Sequence, residues 1–210
     1  MTTEHVSLTN DAGARDRLFR AAIELFNRKG YPATTVREIV EAAGVTKPVL
    51  YYYFGSKEGI YLALLEEARK AFQAQVDEVR ESRGRVRERI FILARRLFLL
   101  FRENIEVVRL VHAIYYGPPQ GAPPFDFDAF YFTFQGVLEH LIEEGIRTGE
   151  LRPGRVSPMA TALHGATAAC MEIALAHPEV AVDVAELDQV LEVVFEGIAC
   201  QKGRDKEKDR

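Results

Sequence analysis

The stretch from Thr35 to Phe54 constrains the fold more than any other part of this 210-residue chain. Thr35-Val36-Arg37-Glu38 has capping-box spacing: the Thr35 hydroxyl can accept from the amide three residues on, and Glu38 can reach back. The helix so begun should end at Ala43, because Gly44 supplies a turn conformation that a residue with a β-carbon resists. Thr46 is placed to cap a second helix, Lys47 to about Phe54, closed by Gly55-Ser56. Ile39 and Val40 before the turn, with Val45 and Leu50 after it, supply a small shared core. Two short helices locked across a tight turn make a helix-turn-helix unit.

Helical spacing continues through the rest of the chain, and no sustained period-two alternation predicts a strand. Leu18, Ala22, Leu25 and Phe26 form an apolar stripe stopped by Gly30. Ser56 should cap a long helix to about Ser82. Further helices are predicted over 85–102, 106–116, 126–148, 158–176 and 183–201. The segment Gly117 to Pro124 is too rich in proline and glycine to be helical and reads as a surface loop. Residues 1–11 and 203–210 read as tails. The fold class expected is therefore all-α.

Charge is unevenly spread. Residues 1–57 carry eight Lys/Arg against six Asp/Glu, a net +2, whereas nineteen against twenty-five leave the remainder at −6, for −4 overall. The asymmetry does not establish DNA binding, but it places any phosphate contacts in the first segment. Cys170 and Cys200 have no metal-ligand or redox spacing and read as reduced thiols. No apolar run follows a basic start, and the apolar stretch Met159–Ala176 carries His164 and Glu172. It reads as a buried helix of a cytoplasmic protein, not a membrane span. Phosphate loops, nucleophile elbows and HExxH are missing, and no histidine follows a glutamate at the spacing used by helical metal sites. The expectation is a non-enzyme with no metal and no cofactor.

The second helix of the motif should expose Lys47, Pro48, Val49, Tyr51, Tyr52 and Tyr53. A helix of this size fits the major groove of double-stranded DNA with its first residues at base edges. Free amides at the helix starts after Thr35 and Thr46 can take phosphates, and Lys57 lies one turn beyond. The residues that carry a resemblance are Leu18-Phe19-Arg20-Ala21-Ala22, Leu25-Phe26, Gly30-Tyr31, Thr34 to Ile39, Ala43 to Thr46, Leu50 to Phe54 and Ser56-Lys57-Glu58. Residues 18–65 are similar to the DNA-binding domain of the tetracycline-repressor (TetR) family. That resemblance implies three DNA-binding helices followed by a larger helical domain for ligand binding and dimerisation. It implies phosphate contacts at Thr35, Tyr52 and Lys57, and base contacts from Arg37, Lys47, Pro48, Val49 and Tyr51. Two positions depart from the family pattern. Pro48 replaces a glycine or alanine and disfavours an α conformation at Lys47; Val49 replaces a small or hydroxyl residue and should make an apolar contact.

Beyond residue 65 no familiar signature remains, and patterning alone speaks. The last two helices have apolar arcs wide enough to bury against their own domain and a second copy. Leu163, Ala166, Cys170, Leu187, Leu191, Val194, Phe195 and Ile198 are the expected interface. The middle helices are rich in aromatics. Phe98, Tyr115, Phe130, Tyr131 and Phe134, with Arg109, His112 and His164 as polar fixtures, are the candidate lining for an apolar or aromatic effector. Three segments result: a DNA-binding domain over 1–57 with its motif at about 35–54, a ligand-binding and dimerisation domain over 58–202, and a charged tail over 203–210. The expected protein is a homodimeric repressor on a palindromic operator. The rival from another class, a helical carrier that has lost DNA binding, would lack Lys47, Tyr52 or Lys57.

Overall fold

The structure is a computed structural model and describes residues 11–117, 121–180 and 182–198. Among them lie nine α-helices and no β-strand: α1 Asp11–Lys29, α2 Val36–Ala43, α3 Lys47–Phe54, α4 Lys57–Glu81, α5 Val86–Glu103, α6 Ile105–Tyr115, α7 Asp128–Thr148, α8 Val156–Ala176 and α9 Val184–Ile198. A 3₁₀ turn, Pro178–Val180, precedes α9 and was not foreseen in the sequence. Residues 118–120 of the expected loop, and 199–210, which include the expected C-terminal tail, lie outside the described residues.

The chain forms two compact units, Met1–Lys70 with Asn104–Phe127, and Ala71–Glu103 with Asp128–Arg210. These packing units and the functional segments drawn from sequence are different divisions of the chain. The first core needs Ile60, Tyr61, Leu64 and Leu65 from α4 and Leu110 from α6 in addition to α1–α3. Leu18, Ala22, Ile39 and Leu50 are its fully buried centre, Leu18, Ile39 and Leu50 each adding about 1.5–3 kcal/mol for a large side chain removed from water. Asn27 fastens α1 to α6 by donating to the Glu106 carbonyl at 2.9 Å.

The second core gathers the last turns of α4 with α5, α7, α8 and α9 around Leu93, Phe98, Leu138, Leu141, Leu163, Leu187 and Leu191. Arg89 is buried here. Its guanidinium pairs with Glu144 at 2.8 Å and donates to the carbonyls of Val79 and Arg80, closing the C-terminal end of α4. Glu150 caps α5 from far along the chain, its carboxylate accepting the amides of Val86 and Arg87 at 2.8 and 2.9 Å.

The expected interface on α8 and α9 requires correction. Leu163, Cys170, Leu187, Leu191 and Phe195 are buried in the chain's own core, and Ala166 and Val194 are half-buried against it. The side chain of Ile198 lies outside the described residues. The bulky side of each apolar arc is taken by α5 and α7, so a partner cannot reach it. What stays uncovered is the small-residue side of α8, Ala162, Gly165, Ala168, Ala169 and Ile173, with Val193 of α9. For the same reason α8 is not the buried helix expected. It is long and apolar enough by composition to cross a membrane, and only 28% of its most apolar window is buried.

Candidate nucleic-acid interface

The motif forms as its local chemistry dictates. Thr35 is the N-cap of α2, its hydroxyl accepting from the Glu38 amide at 3.3 Å while the Glu38 carboxylate accepts from the Thr35 amide at 2.9 Å. Lys29 adds an ion pair to the same carboxylate. The Lys29 hydrogen bond, then those from Thr35, hold the Glu38 carboxyl down to about 2. Gly44 ends α2 in the left-handed region at φ 64°, ψ 38°, where a side chain would be strained.

Thr46 departs from its expected capping role. It occupies the N-cap of α3 with extended backbone, but its side chain makes no capping bond. The reason is its neighbour: Pro48, at the second helical position, has no amide, and the Val49 amide is already given to the Thr46 carbonyl at 3.1 Å. Lys47 is nonetheless helical, as the first residue of α3. The start of α2, where the amides of Val36 and Arg37 precede the capped Glu38, is thus the better provided of the two for an anion.

Along α3 the side chains sort by face. Leu50 is fully buried; Val49, Tyr53 and Phe54 are half-buried against the first core, with Phe54 at 4.9 Å from the Phe19 ring. Lys47, Pro48, Tyr51 and Tyr52 are exposed, Tyr52 by 76%. Thr35, Arg37 and Thr46 are exposed as well, and Arg37 pairs with Glu41 at 2.7 Å on the surface of α2. Seven of the nine expected DNA-contacting residues therefore lie on the outer surface of α2 and α3 or beside it. Val49, expected to be exposed, is half-buried because it packs against the first core. Lys57 differs. Its ammonium is half-buried and donates to the carbonyls of Tyr31 and Thr34, both at 2.8 Å.

Sequence reasoning passed over Gly59. A β-carbon there would stand 1.8 Å from the Phe54 carbonyl oxygen, so only glycine lets the first turn of α4 pass so close to the end of α3. Ser56 caps that turn as expected, its hydroxyl accepting the Gly59 amide at 2.9 Å. The signal was present in the sequence, a glycine in a first helical turn, but the distance that makes it necessary was not.

Comparison with known proteins identifies this arrangement. Residues 18–64 match the family described as bacterial regulatory proteins, tetR family. Over that segment the chain is similar to the DNA-binding region of the family. The chain is 50% identical over 52 residues to the HTH-type transcriptional activator FasR of Mycolicibacterium smegmatis, covering 25% of this chain and 24% of FasR. It is 22% identical over 153 residues to the fatty acid metabolism regulator protein of Bacillus subtilis, covering 66% and 71% of the two chains. The fold matches SmeT in its triclosan complex with a TM-score of 0.70 and 17% identity, over 90% of this chain and 93% of that one. SmeT is the repressor of the Stenotrophomonas maltophilia multidrug efflux pump SmeDEF. The match to FasR spans about a quarter of that protein's length. The relatives are regulators, not enzymes.

The candidate effector residues divide between the two units. Arg109, His112 and Tyr115 lie on α6 in the first, where Arg109 is exposed and 3.9 Å from Glu106. In the second, Phe98 is fully buried core and Phe130 packs on Phe72 at 5.1 Å. Three residues do come together: the His164 ring on α8 lies 4.6 Å from Tyr131 and 4.8 Å from Phe134 on α7. Its Nδ1 is 3.3 Å from the Gln135 side-chain oxygen, and burial lowers its pKa, favouring the neutral ring. A separate open cleft of about 330 Å³ lies between α5 and α9, lined by Arg87, Phe91, Arg95 and Glu192. Among the described residues no cluster of side chains could hold a metal ion.

Proposed function

We propose that the protein is a cytoplasmic transcription regulator that binds a palindromic double-stranded DNA site as a homodimer and is released by a small apolar or aromatic ligand. The observation that carries the DNA-binding part is the outer face of α3. A short helix, locked by Leu50 against its own core, presents Lys47, Pro48, Tyr51 and Tyr52 to solvent, and the amide end of α2 stands beside it. Lys47, Pro48, Tyr51 and the apolar edge of Val49 would meet bases, with Arg37 from α2. Thr35, Thr46 and Tyr52 would meet phosphates.

The uncovered face of α8 supports the dimer. Ala162, Gly165 and Ala169 recur at helical spacing without a charge between them, and small side chains allow close helix approach. A ligand in the second unit would find an aromatic wall in Tyr131 and Phe134, with His164 and Gln135 as its polar fixtures. Triclosan, named with SmeT, is a ligand of that apolar class. The continuous helix α4 packs its first turns in one core and its last turns in the other, so a ligand can act on the spacing of the recognition helices. That spacing must match groove positions about 34–36 Å apart or a multiple of it.

Selection of genomic DNA fragments on the purified full-length protein tests the proposal. A single enriched palindromic site, bound by two copies and released by an apolar compound found through thermal shift, is the expected result. Operator and compound must each weaken the other by the same factor. Absence of any enriched sequence would overturn the DNA-binding reading; equal affinity of the compound with and without DNA would overturn the release.

A further inference from the structure

We propose that Lys57 is a positioning residue for DNA binding: it ties the turn between α1 and α2 to the start of α4 and does not itself hold a phosphate. The inference rests on the reading of α2 and α3 as the DNA-contacting pair. It reverses the role that family resemblance assigns to this lysine.

The argument starts from where the ammonium is. Lys57 is the first residue of α4, at the end of a helix whose dipole repels a cation. A lysine there gains nothing from its own helix and needs other acceptors. It has two: the carbonyls of Tyr31 and Thr34, each 2.8 Å from Nζ. The Tyr31 ring lies 4.2 Å from the same atom, within cation–π range. Two of three N–H donors are thus committed and an aromatic face adjoins the charge. Burial, and then the charge of Lys29, push its pKa down, as for a cation placed in a site that does not solvate it like water. To reach a phosphate the ammonium would have to abandon both carbonyls.

The identity of those carbonyls gives the clamp its purpose. They belong to the last turn before Thr35, the N-cap of α2. The Thr34 hydroxyl fastens the same turn to α1, donating to the Gly30 carbonyl at 2.9 Å and the Leu25 carbonyl at 3.3 Å. Thr34 holds the turn from one side and Lys57 from the other, and Lys29 braces Glu38 one residue row further on. The amides of Val36 and Arg37 are thereby held in place before any DNA arrives. Preorganised donors bind an anion without an ordering cost at the moment of contact.

Two measurements on the full-length chain test this. In DNA-free, ¹⁵N-labelled protein, the Lys57 ammonium should give a slowly exchanging N–H signal, absent from Lys57→Met, while exposed Lys47 gives none. An ammonium that exchanges as fast as that of Lys47 would overturn the clamp, and this readout needs neither DNA nor a folded variant. Lys57→Met keeps the aliphatic stem and removes the donors; it should lower operator affinity by about tenfold or more with the salt slope unchanged. A lost phosphate contact would instead reduce that slope by about 0.9 per contact, and such a reduction would overturn the proposal. Lys57→Arg, which can still donate to both carbonyls, should recover part of the affinity; no recovery beyond the Met variant would count against the clamp. If the unmodified protein binds no DNA while the slow ammonium signal is present, the regulator reading fails and the clamp stands.

Discussion

The two units of the chain leave different surfaces after building their cores. The first packs Leu18, Ile39, Leu50 and Tyr61 inside and leaves Lys47, Tyr51, Tyr52 and Arg37 outside, all with polar tips. The second has the larger core, yet leaves Ala162, Gly165, Ala169, Ile173 and Val193 uncovered, with no polar tip among them. A polyanion suits the first remainder, because phosphates and base edges need donors and aromatic edges. A second protein surface suits the other, because small apolar side chains gain only by exclusion of water. The units differ again in how they use charge. In the first, polar side chains mostly secure turns and backbone: Thr35 with Glu38 and Ser56 with Gly59 locally, and Lys57 with the Tyr31 and Thr34 carbonyls and Asn27 with the Glu106 carbonyl from farther along the chain. In the second they cross between helices far apart in sequence, as Arg89–Glu144, Arg95–Asp188 and Arg87–Glu192 do.

The sharpest way to break the first contrast is to charge the uncovered face. Ala169→Glu places a carboxylate on exposed α8 without touching the core. The expected outcome is a monomer in sedimentation with an intact helical spectrum. Operator affinity should fall by about 10²- to 10⁴-fold, the advantage of two linked half-sites. A dimer that ignores the substitution would mean that α8 is not the contact.

The second contrast, in the use of charge, predicts a smaller effect on stability. The Arg89 side chain is only 6% exposed and Glu144 26%, so Arg89→Ala strands a carboxylate that water reaches poorly. The expected loss is about 3 kcal/mol, the lower end for breaking a buried pair, because Glu144 keeps some solvent. Arg37→Ala breaks a pair whose members are 75% and 59% exposed and should leave denaturant stability unchanged while weakening DNA binding. Urea unfolding of both variants checks the difference; equal losses would remove the distinction between the units.

What could be read from the sequence follows the same line. The boundaries of α2 and α3, the capping box and the Gly44 turn are set within four or five residues, and each was legible. The Glu150 cap on α5 spans 63 and 64 residues, and the Arg89 pair spans 55. No local pattern marks such partners. On α8 and α9 periodicity showed that the apolar arc was wide. It could not show which half α5 and α7 would take, so Leu163, Cys170, Leu187, Leu191 and Phe195 were placed in an interface when they belong to the core. In the helix-turn-helix the exposed face of α3 was legible from Leu50 as its buried anchor. The Lys57 clamp was not, because its acceptors are backbone carbonyls 23 and 26 residues away.

The capping box of the first unit predicts one last and smaller effect, visible only in acid. Glu38 is the hinge of the capping box, and its carboxyl is held at about 2 by Lys29 first and Thr35 next, against an ordinary value of 4.5. Folding therefore favours the ionised form. The stability that this carboxylate contributes is complete above its unfolded value of 4.5. It declines as the unfolded chain takes up the proton, and it is gone once pH falls through about 2. Glu38→Gln imitates the protonated side chain: it can still accept from the Thr35 amide but cannot pair with Lys29. Thermal unfolding of the two proteins should differ most at pH 5–7, with the unmodified chain the more stable. The two curves should converge between pH 4.5 and 2. The Glu38 side chain is 40% exposed, so solvent and salt keep the difference small, and added salt should shrink it further. A gap that stays constant down to pH 2.5 would show that the carboxylate is not what the cap uses. The contrast between a unit whose polar side chains secure turns and one whose charges pair across helices would then lose its clearest example.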